Sequence, residues 1–116
     1  MVIAGDDCPN QAGVVQVAEA TLRCLRRTVP AAVPGVLFLS GGQSDVLATQ
    51  HLDQMNRIGG AAWQLSFSFG RALQAPALKA WQGRNISAGQ QALSLRARCN
   101  SAARDGRYVQ QMEKSG

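Results

Sequence analysis

Apolar positions along this chain recur at two different periods. Val14, Val17, Ala18, Thr21, Leu22 and Leu25 fall at helical spacing and predict a helix over about residues 11–27. Arg23, Arg26 and Arg27 sit in its last turns, where cations suit the helix dipole. Pro30 and Pro34 then break the chain. Val36 to Leu39 is an apolar run with no polar alternation, which suits a strand covered on both faces of a parallel sheet. The run stops at Ser40-Gly41-Gly42-Gln43-Ser44. Ser44 or Asp45 is placed to cap a helix over about 45–57, with Leu47, Leu52 and Met55 inward and Gly59-Gly60 at its end. A second strand is predicted over 63–68, and Phe69-Gly70-Arg71 turns out of it. A helix follows over 71–82, with Pro76 as an irregularity and Gly83 as its stop. Ser87 is placed to cap a last helix to about Ala103, and the polar tail from Arg104 is expected to fray.

With the short apolar stretch at Met1-Val2-Ile3 read as a strand end, this order is a run of βα units on a parallel sheet. Two or three such units close nothing, so the sheet keeps open edges, a liability for a free-standing protein. A chain of 116 residues holds one hydrophobic core at most. The pattern therefore points to part of a larger α/β architecture.

Composition narrows the chemistry. The sequence has no run of about 18 apolar residues, so no membrane span or membrane partner is expected. Its start lacks a basic region before an apolar core and does not read as a signal peptide. Cys8, Cys24 and Cys99 are odd in number and form no CxxC pair, which argues against a disulfide scaffold or a four-cysteine zinc site. Free thiols in a reducing cytosol are the simpler expectation. A single histidine, His51, and the lack of paired carboxylates on one face argue against a metal site. The net charge of +5 is lopsided: residues 1–60 carry four basic against five acidic residues, and residues 61–116 eight against two. A solvated basic face is the plain reading, and an anionic ligand is the functional one. Nucleic acid is not expected, because few aromatics interleave with the basic residues.

Two strand ends carry similar turns, Leu39-Ser40-Gly41-Gly42 and Ser68-Phe69-Gly70-Arg71. Glycine lets backbone N–H groups approach an anion closely, serine adds a donor, and arginine adds a fork suited to phosphate. Paired loops of this kind build phosphate clamps at the top of (β/α)8 barrels. The plainer reading is two glycine turns and a surface arginine. Neither lysine is placed for a Schiff base, since Lys79 lies mid-helix and Lys114 in the tail. His51 reads as a surface or half-buried structural residue, Asp6 and Asp7 as loop acids without partners, Trp63 and Trp81 as core. Cys8 and Cys24 read as buried small hydrophobes.

Two segments then carry a specific resemblance. Val33-Pro-Gly-Val-Leu-Phe-Leu-Ser-Gly-Gly-Gln-Ser44 and Leu65-Ser-Phe-Ser-Phe-Gly-Arg-Ala-Leu-Gln74 resemble two motifs of the class I fructose-bisphosphate aldolases. Arg27-Thr-Val-Pro30, Ala77-Leu-Lys-Ala-Trp81 and the Met1-Val-Ile, Gly5, Cys8 stretch fit in order. The resemblance implies a (β/α)8 TIM barrel of which this chain is the C-terminal part: the end of strand six, helix six, units seven and eight, and the terminal helix. Residues 1–107 would be barrel and 108–116 a polar tail. The implied reaction is carbon–carbon cleavage of fructose 1,6-bisphosphate to two triose phosphates, through a lysine Schiff base, with no cofactor or metal. The implied partners are that bisphosphate or a triose phosphate in the complete enzyme, a cytosolic glycolytic lyase that is a homo-oligomer. By resemblance Ser40, Gly41, Gly42, Ser68, Gly70 and Arg71 bind a substrate phosphate.

The departures bear on activity. The family's Schiff-base lysine stands three residues before the position matched by Met1, and its acidic proton-transfer residues lie further upstream. The resemblance thus implies no catalytic residue in this chain and no activity from it alone. Phe69 stands where most members have tyrosine, Asp45-Val-Leu replaces a more acidic helix start, and one residue is missing near Gly59–Ala62. The ending resembles the bacterial branch. Two other readings stay open: a non-catalytic truncated protein, and a basic module that binds phosphate esters or nucleic acid.

Overall fold

The computed structural model describes residues 1–114. Helix α1 spans Val14–Thr28, strand β1 Gly35–Phe38, helix α2 Asp45–Ile58, strand β2 Gln64–Phe67, helix α3 Arg71–Trp81 and helix α4 Ile86–Arg104, followed by a short 3-10 turn at Gln110–Lys114. The strands pair in parallel, with Gly35 opposite Gln64 and Phe38 opposite Phe67. Helix α2 is the crossover between them, as a parallel pair requires.

Helix α1 begins three residues later than its pattern predicts. The Gln11 side chain folds back to donate to the carbonyls of Gly5 and Cys8, and the Gly13 N–H donates to Gln16. Val17, Ala18, Thr21 and Leu22 form its buried stripe. In α2 the Ser44 hydroxyl accepts from the Leu47 N–H and caps the helix, while Leu52 and Met55 are fully buried. Leu47 departs from expectation: it lies outside the Ala48–Leu52–Met55 stripe and is 43% exposed. Helix α3 runs unbroken through Pro76, ending at Gln82 in the left-handed region with Gly83 also at positive φ. Asn85, not Ser87, caps α4 by accepting from the Ala88 N–H. Gly89 meets α3 so closely that a Cβ there would fall 2.9 Å from the Trp81 Cβ, which explains a glycine inside a helix.

Helices α2 and α4 pack against β2, and α1 and α3 pack in turn against those helices. Phe38, Leu65 and Phe69 point into the core with Leu22, Leu52 and Met55. Leu37 and Leu39, on the opposite face of β1, are 63% and 70% exposed. The expectation of a strand covered on both faces is therefore corrected for this chain. Only one layer of helices is present, and alternate side chains of a strand leave on opposite sides. Met1–Ile3 forms no strand pairing among the described residues; the Val2 N–H donates to the Thr21 hydroxyl instead.

Three further expectations are corrected. Cys8 and Cys24 are exposed rather than buried, since Cys8 lies in the opening loop and Cys24 outside the buried stripe of α1. Cys99 is the buried cysteine, and burial is the largest influence raising its pKa. Trp63 is core, donating its indole N–H to the Pro30 carbonyl, but Trp81 stays 43% exposed beside Leu78 and Ile86.

Nor does the tail fray as far as it is described; Ser115 and Gly116, where the expected tail ends, lie outside the described residues. Tyr108 is 4% exposed, and its N–H donates to Asp53 while its carbonyl accepts from Arg57. Glu113 receives both terminal nitrogens of Arg96, at 2.6 and 2.8 Å, and the Tyr108 hydroxyl at 2.7 Å. Burial alone would raise the Glu113 pKa, but these donors outweigh it and hold the carboxyl below its ordinary range.

Candidate phosphate site

The register of the sheet decides what the two glycine turns can do together. Phe38 lies opposite Phe67, and the Ser68 N–H donates to the Phe38 carbonyl at 2.7 Å, one step past the ladder. Because the strands run parallel, the turns that follow them, Ser40–Gly42 and Ser68–Gly70, leave the sheet at the same end. Both turns feed helix starts at the same end of the sheet: Ser44 caps α2, and Gly70 is the N-cap of α3. Gly41 and Gly42 take φ of 60° and 85°, a backbone path that side chains with a Cβ resist.

Of the six residues expected in a clamp, Gly42 and Arg71 line one cavity of about 470 Å³, together with Gln43, Ser44, Asp45, Ala72, Ala75, Pro76 and Lys79. Gly41, Ser68 and Gly70 stand exposed beside it, and Ser40 is 5% exposed at the end of β1. Arg71 is exposed and makes no hydrogen bond or ion pair with any described residue. An unpaired guanidinium at a helix start has its donor fork available to an anion.

Two residues that the motif reading passed over hold this corner in shape. The Gln43 side chain donates to the Ser40 carbonyl at 2.7 Å, and the Gln43 backbone N–H donates to the same oxygen at 3.1 Å. The Gln43 amide oxygen meets His51 Nδ1 at 2.6 Å. His51 is only 4% exposed, and burial lowers its pKa, which favours a neutral ring. The expected structural role of His51 holds, but the structure makes it specific: it anchors the glutamine that ties off the first turn. Its spacing of eight residues from Gln43 places it two turns into α2, a signal that periodicity alone carries.

The other singled-out residues do not join the site. Asp6 lies near Gly42–Ser44 in a separate, smaller cavity, and Asp7 stays in the opening loop. Among the described residues no three His, Cys, Asp or Glu side chains gather where they would hold a metal ion, and no helix is long and apolar enough to cross a membrane.

A parallel strand pair joined by a crossover helix and packed against helices is an α/β fold. Comparison with known proteins makes the class specific. The family model described as fructose-bisphosphate aldolase class-I matches residues 1–116. Fructose-bisphosphate aldolase 1, chloroplastic, of Chlamydomonas reinhardtii is 53% identical over 110 residues, covering 93% of this chain and 29% of that protein. Fructose-bisphosphate aldolase 1 of Toxoplasma gondii is also 53% identical, with 93% and 30% covered. A probable class 1 enzyme of Xanthomonas axonopodis pv. citri is 47% identical, with 93% and 33% covered. Among solved structures, the fructose-bisphosphate aldolase of Plasmodium falciparum, in complex with TRAP and a small molecule inhibitor, superposes with a TM-score of 0.87 at 45% identity, over 91% of this chain and 31% of that one. The chain belongs to the class I fructose-bisphosphate aldolase family, and it spans about a third of the length of the curated relatives it matches.

Proposed function

We propose that this chain is the C-terminal part of a class I aldolase (β/α)8 barrel and supplies its substrate phosphate clamp. The observation that supports the reading is the parallel pairing of β1 and β2, whose following turns lie at one end of the sheet, with Gly42 and Arg71 lining the same cavity. In the complete barrel Arg71 would neutralise a phosphate dianion of fructose 1,6-bisphosphate. Holding a remote phosphate supplies binding energy that orients the reacting carbon. Residues 1–107 would supply barrel units, with 108–116 following as the tail. Two features of the fold support the barrel. The bare face of β1, with Leu37 and Leu39, is where a barrel interior would lie, and the exposed Leu78, Trp81 and Ile86 offer a surface for further helices. The complete enzyme would be a cytosolic homo-oligomer, in keeping with three free thiols.

In this reading the chain alone does not cleave the sugar. A Schiff-base lysine works from a desolvated strand end. Lys79 lies on the exposed face of α3 and Lys114 at the end of the 3-10 turn, and both are exposed. The test is to incubate the purified chain with fructose 1,6-bisphosphate and sodium borohydride. The expected result is no covalent adduct by mass spectrometry and weak ester binding that Arg71→Ala removes. Turnover, or borohydride trapping on Lys79 or Lys114, would contradict the reading.

A further inference from the structure

Between the opening loop and α2 lies a smaller cavity of about 170 Å³, and its polar side chains are rich in free acceptors. The hydrogen bonds around it decide this. Gln43 Nε2 donates to the Ser40 carbonyl, so the amide oxygen is the atom that meets His51 Nδ1 at 2.6 Å. Nδ1 then carries the proton, and the neutral ring presents Nε2 as an acceptor. His51 is 4% exposed and lines the cavity, and Nε2 has no hydrogen-bond partner among the described residues. The Met1 ammonium acts on this ring as a charge and makes no hydrogen bond with it. Gln11 spends its amide N–H groups on the carbonyls of Gly5 and Cys8, which leaves its oxygen free. Asp6 is the one charged residue of the lining, and it has no hydrogen bond or ion pair with any described residue. Fewer side-chain donors remain: the Ser44 hydroxyl and one Gln43 N–H. Ile3 and Leu47 add apolar wall, which gives the exposed Leu47 a surface to share.

We propose that this cavity binds an alkylguanidinium group, with an N–H on His51 Nε2, the donor fork on Asp6 and the alkyl arm against Ile3 and Leu47. A buried acceptor without a donor weakens a fold, and a ligand N–H would satisfy it. A guanidinium is all donor and matches a carboxylate in two bonds. The volume falls below that of pockets that enclose a whole drug-sized ligand, so it suits one such head group. Gly42, Gln43 and Ser44 line this cavity on one side and the phosphate cavity on the other, so the first glycine turn registers an occupant of either. The proposal does not depend on Arg71.

The experiment titrates the 116-residue chain with ethylguanidinium, and separately with tetramethylammonium, which has the same charge and no N–H. Ionic strength is held constant at about pH 7.5, where the ring is neutral. Long-range proton–nitrogen NMR follows the His51 ring, and amide shifts follow residues 42–44. The expected result is a ring with its proton on Nδ1 before ligand is added. Ethylguanidinium should then move the Nε2 resonance and the amides of residues 42–44 along one saturable curve, and tetramethylammonium should move neither. Asp6→Asn should weaken ethylguanidinium by about fivefold. Asp7→Asn, the charge-matched control in the same loop but outside the cavity, should leave it unchanged. A proton on Nε2 in the free chain overturns the proposal. An Nε2 resonance that stays in place under ethylguanidinium overturns it too, because water then satisfies the nitrogen. An equal response to both cations, or an Asp6→Asn loss no greater than that of Asp7→Asn, reduces the effect to charge attraction and overturns the site.

Discussion

Arg71 and Arg96 show two opposite uses of the same side chain. Arg71 opens α3, stands in solvent and has no partner among the described residues. Arg96 sits in α4 at 3% exposure and spends its donors on Glu113 and the Thr49 hydroxyl. Glu113 more than offsets the burial that would lower the Arg96 pKa, so the guanidinium stays charged. A buried charge already paired is part of the architecture; an exposed one without a partner is free to meet a ligand. The region around Arg96 is also the more costly to build. Arg96 Nε and Asn100 Nδ2 are buried without a hydrogen-bond partner among the described residues, and such groups weaken a fold unless their neighbours are fully satisfied.

Breaking the buried side of this contrast should have the largest effect. Glu113→Ala leaves Arg96 charged and unpaired, and the expected loss is roughly 3 kcal/mol in urea unfolding. Gln43→Ala removes the side-chain links to Ser40 and His51 and should cost about 2 kcal/mol, with amide shifts concentrated at residues 40–44. Ser44→Ala removes the cap of α2 and should cost about 1 kcal/mol by the same assay. Mild acid comes next. The folded His51 pKa lies below its unfolded value, so the unfolded chain binds the extra proton first. Stability from this group is present above about pH 6.5 and falls as the pH drops below it, a dependence that His51→Asn should flatten. Glu113 also has a lowered pKa, so its contribution is lost at lower pH, as the carboxyl itself is protonated. Arg71→Ala should shift stability least, by no more than about 0.5 kcal/mol, while removing phosphate-ester binding.

The sequence revealed the elements that depend on local signals. The stripe at Val17, Ala18, Thr21 and Leu22, the Ser44 cap and the glycine stops are all short-range, and each appears in the fold. The two glycine turns that hold the six proposed clamp residues were legible because each is a contiguous motif after a strand. What stayed hidden depends on partners far along the chain. Arg96 meets Glu113 seventeen residues on, and Asp53 meets the Tyr108 backbone fifty-five residues on, so a polar tail read by itself looks loose. Trp81 and Leu47 were misplaced for a different reason: periodicity marks a helix face as apolar without saying whether this chain supplies anything to cover it.

The two tryptophans turn that last point into an optical signal. Trp63, buried and bonded to the Pro30 carbonyl, should fluoresce at short wavelength and shift red only when the core melts. Trp81, 43% exposed, should emit at longer wavelength from the start and shift blue when another chain segment settles over α3. With Trp63→Phe and Trp81→Phe to separate the bands, one spectrum would register folding of the chain and docking onto its outer face as two independent colour changes.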